Sequence, residues 1–545
     1  MKGADVVAEI LKREGTDFLS CYPRNPLIEA CANINIKPIL CRQERVGVGI
    51  ADGFSRVRRG HQNGVFAAQQ GAGIENAFAG VAQAYAENVP VLVIPAGSPA
   101  ARQSIRPTFR AAEVYAPVTK WSAMASHVQE LPDLLRRAYH AMRSGKPGPA
   151  LLEIPLDVFD AEFQGPLNYD SVPLLRSGPD PVAITKAARL LLAARQPVIW
   201  AGQGVHYAKA SDQLARLAEL IPAPVAATNP GKSAIAETHP LALGASTQSR
   251  PKMYAHFINR ADVIFAIGSS LTRTPFGPAL PAGKTIIHAT NAASDINKDI
   301  SAALGLVGDA ALVLEALIIE IERQRSTSPQ SALADLKQEI AALKQDWRQD
   351  WQAQARSNEM PINQYRVIQD LMDTVDRDHV ILTHDAGSPR EQLLPMWEST
   401  QAASYLGWGK STQLGYGLPL AMGAKLAAPD KLCINFMGDA SFGMTGMDIE
   451  TAARNHIGIL TIVFNNAVMA CERQVMEIST RKYDAIDIGG DYRKIAEGLN
   501  VAALRVEDPS QIIPAIKDGI AVTQSGAPFL IEIMAKQGYD FSRYA

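Results

Sequence analysis

Two apolar strands and a helix bracket the polar motifs Gly438-Asp439-Ala440-Ser441 and Asn465-Asn466. Lys431 to Met437 reads as a buried strand, Met447 to Asn455 as a helix, and Ile457 to Phe464 as a second strand. The 24 residues from Ser441 to Phe464 separate the two motifs. Strand, turn, helix and strand bring Asp439 and Asn466 to the carboxyl ends of neighbouring parallel strands, where open α/β sheets bind ligands. A carboxylate and an amide oxygen converging there suit Mg²⁺, a hard ion that takes few protein oxygens and leaves positions for substrate phosphates. The plain alternative is an accidental Gly-Asp pair in a Rossmann-like sheet.

A second segment, Leu40 to Arg59, reads as a short strand, then Glu44, then a Gly/Ala-rich amphipathic helix. Alone, Glu44 is also compatible with a surface carboxylate paired with Arg42 or Arg45 at a helix start. Together the two segments resemble the fingerprint of thiamine diphosphate (ThDP) enzymes, in which Gly-Asp-Gly is followed at about this distance by Asn-Asn. Ala440 stands where the third residue is usually Gly, and its Cβ is expected to restrict the backbone near the diphosphate. The resemblance implies that Glu44 hydrogen-bonds the pyrimidine N1′ and favours the imino tautomer. The 4′-nitrogen then removes the proton from C2 of the thiazolium. A carboxylate suits this task because it can share a proton with a ring nitrogen in a dry site.

The likeness extends along the chain through Val65 to Val93, Thr119-Lys120-Trp121, Gly148 to Pro155 and Arg481 to Ala496. The chain is thereby identified as a member of the acetohydroxyacid (acetolactate) synthase-like ThDP family, which also contains pyruvate oxidases and benzoylformate decarboxylase. The family implies an α/β fold of three doubly wound parallel-sheet domains: pyrimidine-binding, central and diphosphate-binding. At 545 residues the chain is long enough for all three. Two polar, proline-bearing stretches, 164–181 and 324–360, divide it, so the domains are expected at 1–163, 181–323 and 361–545. The charged helical run within 339–360 reads as a surface linker.

Composition narrows the functional classes. A net charge of −2 provides no basic face for nucleic acid and no polybasic membrane patch, and no apolar run approaches a membrane span. The N-terminal 15 residues read as an amphipathic helix without a signal-peptide core. Five sparse cysteines without metal-ligand spacing point to reduced core thiols in a cytoplasmic protein. In the central segment Gly202-Gln203-Gly204 lacks the third glycine of a dinucleotide fingerprint, Tyr207 standing in its place, and reads as a strand-to-helix turn. FAD is an option in this family but is not expected here.

The resemblance also assigns roles to single residues. Gly387 and Ser388, after a strand at Val380 to Thr383, match the turn that offers amides and a hydroxyl to the diphosphate. Leu414 matches the apolar residue wedged under the bent cofactor, although ordinary core packing would look the same. With Gly438, Asp439, Ala440, Ser441, Asn466 and Glu44 these form the expected cofactor set. Asp439, Asn466 and the backbone carbonyl of Val468 are the expected Mg²⁺ ligands.

Around the reactive carbon the chain departs from its relatives. Pro23-Arg24-Asn25 replaces the usual Pro-Gly-Gly, and Gln69-Gln70 stands where benzoylformate decarboxylase has His-Ser. Asn25, Gln69 and Gln70 are therefore the expected substrate contacts, with Gln70 also a candidate catalytic residue. Glu472 falls where pyruvate decarboxylases carry a catalytic Glu. It reads either as a proton donor or as the partner of Arg473. Three functional classes remain. The first is a ThDP lyase or carboligase joining a 2-oxo acid, through a ThDP enamine, to an aldehyde or second oxo acid. The others are a flavin-dependent oxidase and a silent ThDP-binding partner subunit. Simple decarboxylation is the alternative within the first class. A homodimer or homotetramer is expected, because in this family Glu44 and the metal ligands meet across a subunit interface.

Overall fold

Three six-stranded sheets, parallel at every described strand pair, carry the computed structural model of this chain. The structure describes residues 1–274, 277, 280–325, 330–538 and 540–544, the side chain of Gln330 excepted. Parallel strands joined by crossover helices are covered on both faces and so read as continuous apolar runs. Val91–Gly97, Ala150–Pro155, Val263–Ile267 and Ile459–Asn465 are accordingly buried at every residue.

The N-terminal sheet comprises Phe18–Cys21, Lys37–Leu40, Gly64–Ala68, Val91–Gly97, Trp121–Met124 and Ala150–Pro155. Numbered from its own first strand, its order is 2-1-3-4-6-5. The C-terminal sheet comprises Val380–His384, Tyr405–Leu406, Leu432–Gly438, Ile459–Asn465, Ala502–Val506 and Phe529–Met534, and it repeats that order. In such a sheet the direction of winding reverses between the first and third strands, which opens a crevice at their carboxyl ends. The central sheet has the different order 3-2-1-4-5-6. Two of its strands escape the sequence reading: Ala242–Ser246 is made mostly of small residues, and Leu304–Val307 is only four residues long.

Two expectations are corrected. The charged run at 339–360 is helical as expected up to Asp350, but it is not merely a surface linker, because one side of the helix Gln330–Asp350 packs into the central domain. That helix buries Ile340 and Trp347 in the central core, and Trp347 Nε1 donates to Ser542 Oγ at 3.0 Å. The preceding Ser/Pro stretch at 326–329 lies outside the described residues. The helix expected at Met447 to Asn455 is preceded by another, Asp439–Thr445, and itself divides into a 3₁₀ turn at Gly446–Asp448 and the helix Ile449–Arg454. The other motif-bearing elements lie where the hydrophobic pattern places them, including Gly3–Arg13 and Glu44–Val57. Cys21, Cys31, Cys41 and Cys433 are buried free thiols, and Cys471 is half-buried. No described helix is long and apolar enough to cross a membrane.

The first and third domains meet where helix Glu44–Val57 crosses helix Gly417–Ala427. A Cβ at Gly53 would stand 2.3 Å from the Leu420 carbonyl oxygen, and one at Gly423 would stand 2.1 Å from that of Ile50. Backbone cannot yield as a side-chain tip can. Gly423→Ala should therefore lower stability by about 3 kcal/mol, at the upper end of overpacking costs, and thermal melting of the variant measures it.

Candidate active site

The crevice of the C-terminal sheet lies between strands Val380–His384 and Leu432–Gly438. The first leads through Asp385 and Gly387 into helix Ser388–Met396, and the second leads through Gly438 into helix Asp439–Thr445. Gly438 pairs in register with Phe464, so Asp439 comes level with the end of strand Ile459–Asn465, where Asn466 begins the exit turn. Gly387 has φ 86°, a left-handed conformation open to glycine, and turns the chain so that the helix starting at Ser388 points its free amides into the crevice.

Asp439 is buried, and its oxygens accept the Ala440 amide at 2.7 Å and the Ala467 amide at 2.8 Å. Burial pushes its carboxyl up to about 6, with the backbone amides opposing that shift. The Asn466 side-chain oxygen accepts the Val468 amide at 3.2 Å, and Val468 is buried with its backbone bridged to Asp487. A desolvated carboxylate held only by amides, next to an amide oxygen, suits a hard divalent ion. Among the described residues no cluster of three His, Cys, Asp or Glu side chains exists to hold such an ion. Any ion here would therefore complete its shell with backbone and ligand oxygens. Ala440 is less disruptive than its Cβ suggests, because it lies in the first turn of a right-handed helix and needs none of glycine's freedom.

Asp385 organises the other wall. It is fully buried and accepts the amides of Ala386, Gly415 and Gly417, each at 2.9 Å. These bonds fix the loop that carries Leu414. Thr445 Oγ1 donates to the Gly415 carbonyl and Arg45 Nη2 to the Leu414 carbonyl, both at 2.7 Å. Leu414 itself rests half-buried on Ala386, Trp408, Tyr416 and Leu420. Sequence reading treats Asp385 only as the chain's exit from a strand, although an Asp two residues before a turn glycine is a recognisable acceptor of loop amides. A cavity of about 820 Å³ joins Gly387, Ser388, Leu414, Asp439, Asn466 and Glu472. Among the described residues, none of the first sheet's residues lines it.

The remaining expected residues lie on the first sheet. Glu44 is buried at the first turn of its helix. Neither candidate cation pairs with it: Arg42 Nε donates to Glu450 at 3.1 Å, and Arg45 reaches Leu414. Its donor is instead Asn76, which sequence reading notes only as part of a helix. Gln69 lies close by, since a Cβ on Gly73 would stand 2.7 Å from Gln69 Cγ and 3.4 Å from Glu44 Oε1. Gln70 is exposed at the start of the same turn. Asn25 does not fit the role of a substrate contact. Its amide donates to the carbonyls of Ala68 at 3.0 Å and Ile94 at 2.9 Å, and its oxygen accepts the Leu27 amide at 3.0 Å. Its polar atoms tie strand ends together beneath the Gln69-Gln70 turn. Glu472 forms no ion pair with Arg473 among the described residues, since Arg473 Nη2 donates to Gln537 at 2.9 Å.

The central sheet has its own cavity of about 620 Å³, lined by Gly202, Gln203, Gly204, Gly268 and Lys410 among others. A Cβ at Gly202 would stand 2.4 Å from the Gly268 carbonyl oxygen, so this glycine serves turn-on-turn packing.

Comparison with known proteins gives matches over all three segments. Residues 1–124 match the family model described as thiamine pyrophosphate enzyme, N-terminal TPP binding domain. Residues 184–317 match the central domain, and residues 385–533 match the C-terminal TPP binding domain. A "Probable acetolactate synthase large subunit" of Methanocaldococcus jannaschii is 29% identical, over 98% of this chain and 92% of that protein. A "Glyoxylate carboligase" of Escherichia coli O157:H7 is 26% identical, over 98% and 93% respectively. The crystal structure of a benzoylformate decarboxylase from Polynucleobacter necessarius superposes with a TM-score of 0.83 at 19% identity, covering 99% of both chains.

The raised carboxyl of Asp439 fixes the sign of a pH effect. Its contribution to the stability of the ion-free protein is present at low pH and lost as pH rises through about 6. A divalent ion that binds Asp439 must displace that proton, so any stabilisation it gives should be full above pH 6 and fade progressively below it. Thermal scans across pH, with Asp439→Asn losing the response throughout, measure this.

Proposed function

The chain belongs to the thiamine diphosphate enzymes of the acetolactate synthase-like family, and on that footing we propose that it is a Mg²⁺-dependent carboligase or lyase acting on a 2-oxo acid. The observation that carries this reading is the pairing of two half-sites. One is the crevice with buried Asp439, Asn466 and the Gly387-Ser388 turn, and the other is a buried carboxylate, Glu44, with no cation bound to it. The cofactor supplies the electron sink for breaking and forming the carbon–carbon bond.

The chain's own residues have the following roles in this reading. Asp439, Asn466 and the Val468 carbonyl hold Mg²⁺, and the Ser388 hydroxyl and helix-end amides receive the diphosphate together with the Gly438–Ser441 turn. Leu414 supports the bend of the cofactor, and Asp385 keeps Leu414 in place through the Gly415 and Gly417 amides. Glu44 exchanges a proton at the pyrimidine N1′. Gln69 and Gln70 face the substrate with neutral amides, which orient a carboxylate or carbonyl without supplying an acid.

Among the described residues, none from the first domain lines the crevice that holds Asp439 and Asn466. We take the complete site to form across a two-fold axis, in a homodimer or a tetramer built from two such dimers. Apolar side chains exposed on both halves support this assembly: Phe78 and Tyr85 on the helix that carries Asn76, and Val475, at the crevice, and Tyr483, 77% and 78% exposed. The buried free thiols accord with a cytoplasmic location. Nucleic acid and membrane have no role in this reading, and neither does FAD.

Glu472 supports a second outcome. It lines the crevice, and a carboxyl there can protonate the reacting carbon and release an aldehyde before a second carbonyl attacks.

Two experiments test these assignments. Mixed Glu44→Gln and Asp439→Ala subunits, each inactive alone, should regain activity because some interfaces then join two intact halves. A fully active monomer in sedimentation would refute the shared site. With pyruvate as donor and an aldehyde or second oxo acid as acceptor, the parent should form a hydroxyketone, and Glu472→Gln should raise its share over free aldehyde by roughly a hundredfold, the lower end of proton-transfer effects. Aldehyde as the only product, despite excess acceptor, would identify a decarboxylase.

A further inference from the structure

Glu44 is 6% exposed, and a carboxylate removed from water is ordinarily balanced by a cation. Here the nearby cations are engaged elsewhere. Arg42 pairs with Glu450, and Arg45 turns to the Leu414 carbonyl. The Tyr115 hydroxyl, a phenol that feels the Glu44 charge, donates to the Ile74 carbonyl. Burial, reinforced by Glu44 and Glu75, pushes the Tyr115 phenol well up, so it stays neutral and committed to that carbonyl. What reaches Glu44 is the side-chain amide of Asn76, from helix Ala72–Ala86, donating to Oε2.

We infer that Asn76 is a positioning residue for proton exchange: its neutral amide fixes Glu44 through Oε2 and leaves Oε1 to share a proton with the cofactor's pyrimidine. The inference rests on the role proposed above for Glu44 and extends it to a residue outside the cofactor motifs. The chemistry favours an amide for this task. An ammonium or guanidinium in its place would stabilise the charged carboxylate strongly and oppose its taking up a proton. With no donor at all, the side chain would lose its orientation, and a loosely held acid is a poor proton carrier. Asn76 has both a fixed hydrogen-bond direction and no charge.

The test uses Asn76→Leu, which keeps the branched shape and removes the donor, and Asn76→Ala in case the first fails to fold. In the cofactor-free protein, the infrared difference between parent and Glu44→Gln isolates the Glu44 carboxylate band, and the Asn76 variants should shift it. In the Mg²⁺–ThDP protein, C2–H/D exchange should slow by about 10–100-fold, the scale on which supporting hydrogen bonds to functional groups act, while the ThDP dissociation constant by calorimetry stays within about twofold. Asn76→Lys should slow exchange as well, by holding the carboxylate charged. An unmoved band, parental exchange in Asn76→Leu, or slowing matched by an equal loss of ThDP binding would each overturn the inference. Parental exchange in Glu44→Gln itself would instead remove the role of Glu44, so the two failures are distinguishable.

Discussion

The crossing of helix Glu44–Val57 over helix Gly417–Ala427 is the contact on which the rest of the molecule depends. At Gly53 and Gly423 the two backbones come too close for any side chain. Such an approach fixes both the distance and the angle between domains. Next to it lies a buried ionic cluster. Asp52 accepts from Arg56 at 2.5 Å and from the Tyr416 hydroxyl at 3.1 Å. Burial opposes the Arg56 charge, but Asp52 and Glu87 beside it more than offset that cost. A pair this deep adds specificity of register more than net stability, and the glycine contact does the holding. Glu44 at the start of one helix and the Leu414 loop leading into the other are thereby placed by the same crossing, and Arg45 bonds the two together.

The two outer sheets share one strand order, and each presents its working residues where the winding reverses. In the third domain that position carries Gly387, Ser388, Asp439 and Asn466; in the first it carries Gln69-Gln70 above the Asn25 support. The same architecture thus places a buried carboxylate without an opposing cation in each half, Asp439 held by backbone amides and Glu44 by the side-chain amide of Asn76. The central domain, with another strand order, is tied to the third through Asn229, whose amide donates to the Trp408 carbonyl at 2.6 Å, and to the first through Lys146, which donates to Asp295 at 2.9 Å.

The features written in contiguous residues were legible before any coordinates. Strand, turn, helix and strand around Asp439 and Asn466 follow from local apolar runs, and so does the helix that begins at Glu44. What escaped depends on residues far apart in the chain. The commitment of Asn25 to Ala68 and Ile94 and the grip of Asp385 on Gly415 and Gly417 exist only after folding. The same is true of the Asn76 bond to Glu44. The helix 330–350 misled for a related reason. Its overall polarity resembles a solvated linker, yet Ile340 and Trp347 are buried in the core, with Leu333, Leu336 and Leu343 packed half-buried against it. Composition averaged over a window conceals so narrow a buried stripe.

The loop from Gly407 to Gly417 is held from all three domains. Arg56, Glu87 and Arg45 grip it from the first, Asn229 from the second, and Asp385 from the third. During synthesis the N-terminal domains emerge and fold before the last one is complete. The loop then has anchors waiting for it on two finished surfaces, but its own sheet is still missing strands Leu432–Gly438 and Ile459–Asn465. The seat for Leu414 is therefore among the last parts of the molecule to take shape, and a nascent or truncated chain carries no assembled reaction centre.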